Sequence, residues 1–565
     1  MMRLFSLALV GVQLLTMTAA LPNITRTGKY LYDESGNRFY IKGVAYQPEG
    51  ELAASSDSNS ANGGFPEPSS FHDPLSSPQN CTRDLPYLQQ LGVNAVRVYS
   101  VNSSLNHDDC MKMFNDAGIY VLLDLSLPLN GSIDRSSPSW STNLLNEYIE
   151  TIDAFKNYEN VLGYNVGNEV INLASNTNAA PFVKAAARDI KAYLKSVGSS
   201  ALVGYAAVDG EPDFRNSLAE YLTCGGDSIA VDLYGLNNYE WCGNQNINSS
   251  NWNTITEGFS DLPVATYMSE FGCITSPPRL WTEVAALFAS PVSDVFSGGV
   301  AFSYFPTSDN YGMVTISGND TVTVSDDFTR LATQYNSTSP PNSPTKSSVT
   351  ANETDCPAES DSLLASSTLP PTPNESVCNC INENSLSCKV KQSSANSPEI
   401  VGALLDYACS LLGSTDSSAS CDPIAGNGTS GTYGQLSFCS PAIKLSYVMS
   451  TYYQINPEDT SCDFAGNASL SANRPNTVQD ANAAASSCLA AEPSGGVFTP
   501  TAPGNGAATA TSTGTASGST SSGASTSDSS ASTSGDIKSI TVVGGLLTAV
   551  VGIAGAVVGG SAILL

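Results

Sequence analysis

The amino-acid sequence predicts an α/β fold, a (β/α)₈ TIM barrel followed by a small disulfide-rich module. Eight short apolar runs alternate with helix-forming stretches between Arg38 and Phe305, the rhythm of a parallel sheet with crossover helices. Eight of the 14 cysteines then crowd between Cys378 and Cys488, a stretch too short for a large apolar core and stapled instead. A doubly wound open sheet is the alternative, but no glycine-rich phosphate loop follows the first apolar run.

The strands read in order as RFYIKGVAYQ from Arg38, NAVRVYS from Asn94, IYVLLDLS from Ile119 and VLGYNVGNE from Val161. ALVGYAAVD from Ala201, IAVDLYGLNNYEW from Ile229, VATYMSEFG from Val264 and GGVAFSYF from Gly298 complete the set. Helical stretches such as TRDLPYLQQLG, STNLLNEYIETIDAFKNY and AAPFVKAAARDIKAYLKSVG lie between them. At 565 residues the chain exceeds one ordinary domain, and composition marks the joints. The barrel occupies 21–340, and NSTSPPNSPTKSSVT from Asn336 introduces a Pro/Ser/Thr-rich linker over 341–375. The cysteine-rich module spans 376–492. Its aromatics Tyr407, Tyr433, Phe438, Tyr447, Tyr452, Tyr453 and Phe464 suit either a core or sugar-stacking platforms, and are expected to be core for the most part, with one or two exposed. Residues 493–535 are almost entirely Gly, Ala, Ser, Thr and Pro. They cannot bury a core and read as a disordered, O-glycosylated stalk.

Both ends carry addresses. Residues 1–20 follow the order of a secretory signal peptide: Arg3, the apolar run LFSLALVGVQLLTMTAA, and cleavage after Ala20. Residues 536–565 join a short polar spacer to the uncharged tail ITVVGGLLTAVVGIAGAVVGGSAILL, after the small residues GASTSDSSAST. That combination reads as a glycosylphosphatidylinositol (GPI) anchor signal whose tail is removed. An ordinary transmembrane helix is the rival, and no cationic cluster follows the tail to support it. Sequons at Asn23, Asn80, Asn102, Asn130, Asn248, Asn319, Asn336, Asn352, Asn374, Asn427 and Asn467 fit an exported surface. In that compartment the cysteines read as disulfides rather than metal ligands. The only two histidines, His72 and His107, lie in polar, loop-like sequence and are expected to be exposed. A histidine-built metal site or Ser-His-Asp triad is not expected. A formal net charge of −29 argues against nucleic acid or anionic lipid as a partner, while a neutral polysaccharide would not be repelled.

The chemistry concentrates in two strands. The fourth ends in GYNVGNEV, where Asn168 and Glu169 close an apolar run. A carboxylate there is costly unless paired or used, although a single Glu just past a strand most often faces solvent. The seventh strand ends in MSEFG and places Glu270 at an equivalent height. In such barrels active sites gather at the C-terminal strand ends, so two carboxylates converge in one mouth. Paired carboxyls are what glycoside cleavage needs: one protonated acid and one ionised nucleophile or base. A separation of about 5–5.5 Å signals the retaining route and about 6.5–9.5 Å the inverting one. This reading makes Glu169 the acid/base, Glu270 the nucleophile and Asn168 a partner of the sugar 2-hydroxyl. A structural Glu270, with Cys273 marking a disulfide corner, is the competing reading.

GYNVGNEV and MSEFGC, together with GVAYQP, VRVYS, LNNYEWCG and NYGMV in this order, resemble glycoside hydrolase family 72, the fungal 1,3-β-glucanosyltransferases. The resemblance runs from about Gly28 to Tyr335. The cysteine-rich segment, with YGQLSFCS and LSYVMSTYYQ, resembles the family 43 carbohydrate-binding module. Position by position, the resemblance implies Glu169 as acid/base and Glu270 as nucleophile. It also implies sugar contacts at Gln47, Tyr99, Asp124, Asn168, Tyr239 and Tyr304, although AFSYF departs from the family's commoner form of that strand. It further implies the disulfides Cys81–Cys110, Cys224–Cys356 and Cys242–Cys273. Cys378, Cys380, Cys388, Cys409, Cys421, Cys439, Cys462 and Cys488 are left to pair within the module, in a connectivity the sequence leaves open. The implied reaction transfers β-1,3-glucan between donor and acceptor chains without cofactor or metal, in a monomer held at the outer face of the plasma membrane and in the wall. A retaining β-1,3-glucan hydrolase and a non-catalytic glucan-binding wall protein are the alternatives.

Overall fold

The computed structural model describes residues 21–50, 70–128, 131–417 and 419–503. The expected signal peptide, the stalk beyond 503, the anchor signal and the Asn130 sequon lie outside the described residues. Eight strands close a barrel in which every neighbouring pair is parallel. They are β1 (Ile41–Ala45), β2 (Ala95–Val98), β3 (Tyr120–Asp124), β4 (Val161–Asn168), β5 (Leu202–Val208), β6 (Leu233–Asn237), β7 (Ala265–Phe271) and β8 (Phe296–Ala301). Each falls on an expected run. The eighth is displaced, starting earlier and ending before Phe302.

Alternation along the strands sorts side chains into two shells. On β2, Ala95 joins the cluster inside the barrel, whereas Val96 and Val98 pack toward the surrounding helices. The same split on β3 sends Tyr120 and Leu122 inward and Val121 and Leu123 outward. Arg97 and Asp124 therefore share the inward face, one level nearer the C-terminal mouth. Barrel closure requires close backbone approach at β8. There Gly298 has φ +88°, and a Cβ would meet Ile41 O at 2.2 Å.

The helical layer includes α1 (Pro78–Leu91), α2 (Asp108–Asp116), α3 (Thr142–Phe155), α4 (Ala180–Ser196) and α5 (Pro212–Thr223). Local sequence sets the limits of α1: Ser77 Oγ caps the Asn80 N–H, Pro78 opens the first turn, and Gly92 at φ 75° ends it. His72 is exposed. His107, expected to be exposed, is instead buried before α2. Its ring packs on Phe155 with centroids 4.3 Å apart, and its Nε2 lies 2.8 Å from Asp73 Oδ2. A buried carboxylate partner makes that placement affordable, and nothing in the local sequence announces it.

The Pro/Ser/Thr-rich linker is an ordered strap. Arg38 Nη1 donates to Ser343 O and Tyr40 Oη to Pro341 O, while Leu363 and Ala365 enter the main barrel core. Arg188 on α4 donates to Pro370 O at 2.9 Å, and Thr372 Oγ1 donates to Asp189 at 2.8 Å. The expected stalk also begins later than Pro493. Thr372 N donates to Gly496 O at 2.8 Å, and Ala502 packs on the barrel core. Composition misled at the start of the stalk, because Gly496 is held there through backbone groups, which any residue supplies.

The module holds α6 (Glu375–Asn384), α7 (Pro398–Thr415), α8 (Pro441–Ile455) and α9 (Val478–Leu489). A two-stranded ribbon pairs Cys388–Val390 with Ala468–Leu470. Its bridges are Cys378–Cys439, Cys380–Cys488, Cys388–Cys462 and Cys409–Cys421. In the barrel and its strap, Cys81 joins Cys110, Cys224 joins Cys356, and Cys242 joins Cys273. Of the module's aromatics, Phe438 and Phe464 are buried and Tyr407 is 56% exposed. Tyr433 turns to the barrel, its ring against Phe182 at 5.6 Å. Among the described residues no helix is long and apolar enough to cross a membrane.

Candidate active site

Arg97 organises the mouth. It is fully buried, and its guanidinium reaches Asp124 Oδ2 at 2.7 Å, Glu270 Oε1 at 3.2 Å and Asn168 Oδ1 at 2.8 Å. A buried cation of this kind persists only when its partners are themselves fixed. Asp124 is fixed by Asn165, whose Nδ2 donates at 2.6 Å. Glu270, on β7, accepts two further bonds: Tyr99 Oη at 2.8 Å on Oε1 and Tyr239 Oη at 2.7 Å on Oε2. Burial pushes the Glu270 carboxyl up, and the Arg97 cation and both phenols act in the opposite direction. The geometry selects the ionised form, because all three contacts are donors and a carboxylate accepts them all.

Glu169 has a different setting. It follows the last residue of β4 with φ 49°, a left-handed conformation that costs a non-glycine residue on the order of 1–3 kcal/mol. Its N–H donates to Ala206 O at 2.8 Å. The residue is 6% exposed, and its side chain accepts Asn237 Nδ2 at 2.6 Å on Oε1. Asn237 is fixed in turn by Ser269 Oγ, which donates to its Oδ1 at 2.7 Å. Burial first, and the neighbouring Glu270 charge second, raise the Glu169 carboxyl to about 7. One mouth therefore holds a carboxyl that keeps its proton and a carboxylate surrounded by donors, the division of labour of a glycosidase acid and nucleophile.

Residues 13–339 match the family described as Glucanosyltransferase, and residues 386–469 match the X8 domain. The chain belongs to the glucanosyltransferase family. The 1,3-beta-glucanosyltransferase gas1 of Schizosaccharomyces pombe is 42% identical over 471 residues, covering 83% of this chain and 82% of that protein. The 1,3-beta-glucanosyltransferase GAS2 of Saccharomyces cerevisiae is 38% identical over 451 residues, 78% of each chain. A solved structure of Saccharomyces cerevisiae Gas2p with laminaritriose and laminaritetraose superposes with a TM-score of 0.71 at 36% identity. That comparison covers 80% of this chain and 98% of the other.

Within this glucanosyltransferase, the residues expected to touch sugar divide into three groups. Tyr99, Tyr239 and Asn168 are half-buried around the two carboxyls. Asn168 Oδ1 is taken by Arg97 and Asn237, which leaves its Nδ2 without a protein acceptor among the described residues. Gln47 and Asp124 stand behind the site. Gln47 Oε1 accepts the Tyr99 and Ser100 N–H groups, and its Nε2 donates to His72 O, so it positions the Tyr99 segment. Asp124 is 1% exposed and spends its oxygens on Arg97 and Asn165. Tyr304 lies elsewhere. β8 ends at Ala301, and the chain turns outward so that Tyr304 N bonds Ala45 O and its hydroxyl reaches Asp84 on α1 at 3.1 Å.

The aromatic wall near Glu270 is formed instead by Phe302 and Tyr311. Phe302 sits edge-on to Tyr99 at 6.3 Å, Tyr239 at 6.4 Å and Tyr311 at 5.3 Å. Sequence reasoning missed Phe302, Tyr311, Arg97 and Asn237. A signal existed for two of them: Arg97 is a charge inside the apolar run NAVRVYS, and Asn237 closes β6 as Glu169 and Glu270 close theirs.

Proposed function

We propose that this enzyme is a 1,3-β-glucanosyltransferase that cleaves β-1,3-glucan internally and joins the new reducing end to the non-reducing end of a second chain. The observation that carries the reading is the opposite setting of two buried carboxyls in one mouth. In the first half-reaction Glu169 protonates the departing glycosidic oxygen while Glu270 attacks the anomeric carbon. The shortened glucan leaves, and the donor stays on Glu270 as a glycosyl ester. Ester formation removes the Glu270 negative charge, one of the two causes that hold the proton on Glu169, so Glu169 ionises more readily when it must act as base. It then takes the proton from the acceptor's 3-hydroxyl, whose oxygen displaces Glu270. Asn168 Nδ2, without a protein acceptor among the described residues, donates in this reading to the sugar 2-hydroxyl, a contact that strengthens in the transition state. Phe302 and Tyr311 offer apolar faces on which an acceptor sugar can displace water.

The laminari-oligosaccharides bound by Gas2p support this substrate class. In the same reading the X8 domain is a family 43 carbohydrate-binding module. The signal peptide, stalk and GPI anchor hold a monomer at the outer face of the plasma membrane, within reach of wall glucan.

The test feeds a secreted form ending before the stalk with one reduced β-1,3-gluco-oligosaccharide and follows product lengths by mass spectrometry. Products longer than the input, absent from Glu270→Gln, are expected. Shorter products alone make the protein a hydrolase, and no change leaves a glucan-binding protein.

A further inference from the structure

The conformation of Glu169 needs an explanation that the hydrogen bonds of its side chain and N–H do not supply. A left-handed backbone is tolerated in glycine and is unfavourable in glutamate. Its own carbonyl and the next one are held by a single side chain. Arg135, in the loop between β3 and α3, donates from Nη2 to Glu169 O at 2.8 Å and from Nε to Val170 O at 3.1 Å. The next turn is fixed by Tyr205 Oη, which accepts the Ile171 N–H at 3.1 Å. The guanidinium thus clamps two successive carbonyls of the segment that carries the carboxyl, and it is one of the cations that act on that carboxyl through space.

We propose that Arg135 is a positioning residue for Glu169: it locks the left-handed turn from which the carboxyl reaches Asn237, and it sets a fixed positive charge beside the acid. This inference rests on the reading of Glu169 as acid/base. Arginine suits the task because its planar fork serves both carbonyls from one rigid group and stays charged at every working pH. The groups that face Glu169 come from several elements. β7 contributes Glu270, which favours the protonated acid, and β2 contributes Arg97, which favours the ionised one. β6 contributes the neutral Asn237 and β5 the neutral phenol of Tyr205. Arg135 is the cation contributed from the loop. Arg97 answers Asp124 and Glu270 as well as Asn168, whereas among the described residues the hydrogen bonds of Arg135 go to the Glu169 segment.

The experiment compares full-length wild type, Arg135→Met, Arg135→Gln and Arg135→Lys over pH 5–9, with thermal melting to establish folding. Arg135→Met is expected to lower kcat by about tenfold or more through misplacement of the acid. It is also expected to move the alkaline limb of kcat/KM upward by about half a pH unit or more, because a nearby positive charge is gone. Arg135→Gln can donate but carries no charge, so it should shift the limb with a smaller loss of rate. Arg135→Lys should return the limb toward wild type. A folded Arg135→Met or Arg135→Gln enzyme with the limb unmoved overturns the proposal, as does wild-type kcat in Arg135→Met. A Glu169→Gln control separates the two readings. If it keeps wild-type turnover, Glu169 is not the acid/base, and the Arg135 series then reports on another group.

Discussion

The barrel and the X8 module reach order by different means. The barrel's main core is continuous, running from Tyr40 on β1's approach to Ala365 in the strap, and of its three disulfides only Cys81–Cys110 belongs to it, as two residues in a large apolar cluster. The module has a short core from Val377 to Cys488, and cysteines are themselves part of it. Four bridges cross a segment of little more than a hundred residues. The first region is held by burial and the second by covalent constraint on its unfolded state. Catalysis needs the first kind of order, because buried cations and carboxyls keep their positions only inside a packed shell. A region stapled at four points tolerates a less apolar surface and can vary its exposed face.

The sharpest way to test that separation is to remove chemistry without touching either kind of order. Glu270→Gln should lower glucan transfer by about 10⁴-fold or more and leave both regions folded by circular dichroism. Residual transfer near wild type would end the nucleophile assignment. Next in size is a covalent cut. Replacing Cys388 and Cys462 by Ala opens a loop closed over 74 residues and should destabilise the module by about 2–5 kcal/mol. The same replacement at Cys81 and Cys110, closing only 29 residues in a region already held by burial, should cost less. Urea unfolding of the two double variants decides the matter, and an equal loss would erase the contrast.

A smaller effect comes from charge. Folding raises the Glu169 carboxyl from an ordinary value near 4.5 to about 7. Between those values the folded state binds more protons than the unfolded chain, so this group lowers stability as pH rises through that window. Glu169→Gln should therefore be more stable than wild type at pH 8, by on the order of 1–3 kcal/mol, with the gain gone near pH 4. Wild-type transfer should fall as pH rises past about 7, where the acid loses its proton. Melting curves and pH–rate profiles read the two effects separately. The smallest change is Tyr304→Phe, which removes one bond to Asp84. It should cost about 1 kcal/mol of stability and leave turnover intact, whereas Tyr239→Phe strips a donor from Glu270 and should slow it.

Much of this was legible in the sequence for a physical reason. Parallel strands buried on both faces appear as continuous apolar runs, so all eight could be found, and a carboxylate ending such a run is conspicuous. Glu169 and Glu270 stood out on that ground. Tyr304 did not separate from Phe302 because both lie in AFSYF, and only the end of β8 at Ala301 decides which ring faces the mouth. Arg97 was visible as a charge inside an apolar run, but its partners were not, because they come from strands distant in sequence. Arg135 left no trace, since its partners are backbone carbonyls. The docking of residues 493–503 was unreadable for the same reason.

The bond between Cys224 and Cys356 has a mechanical consequence. It closes a ring of chain that contains β6, β7 and β8, and with them Asn237, Tyr239 and Glu270. A pull applied beyond Cys356 crosses the sulfur bridge to the end of α5 and bypasses that ring. Tension on the C-terminal side therefore loads the S–S linkage and leaves β6, β7 and β8, with Glu270, slack.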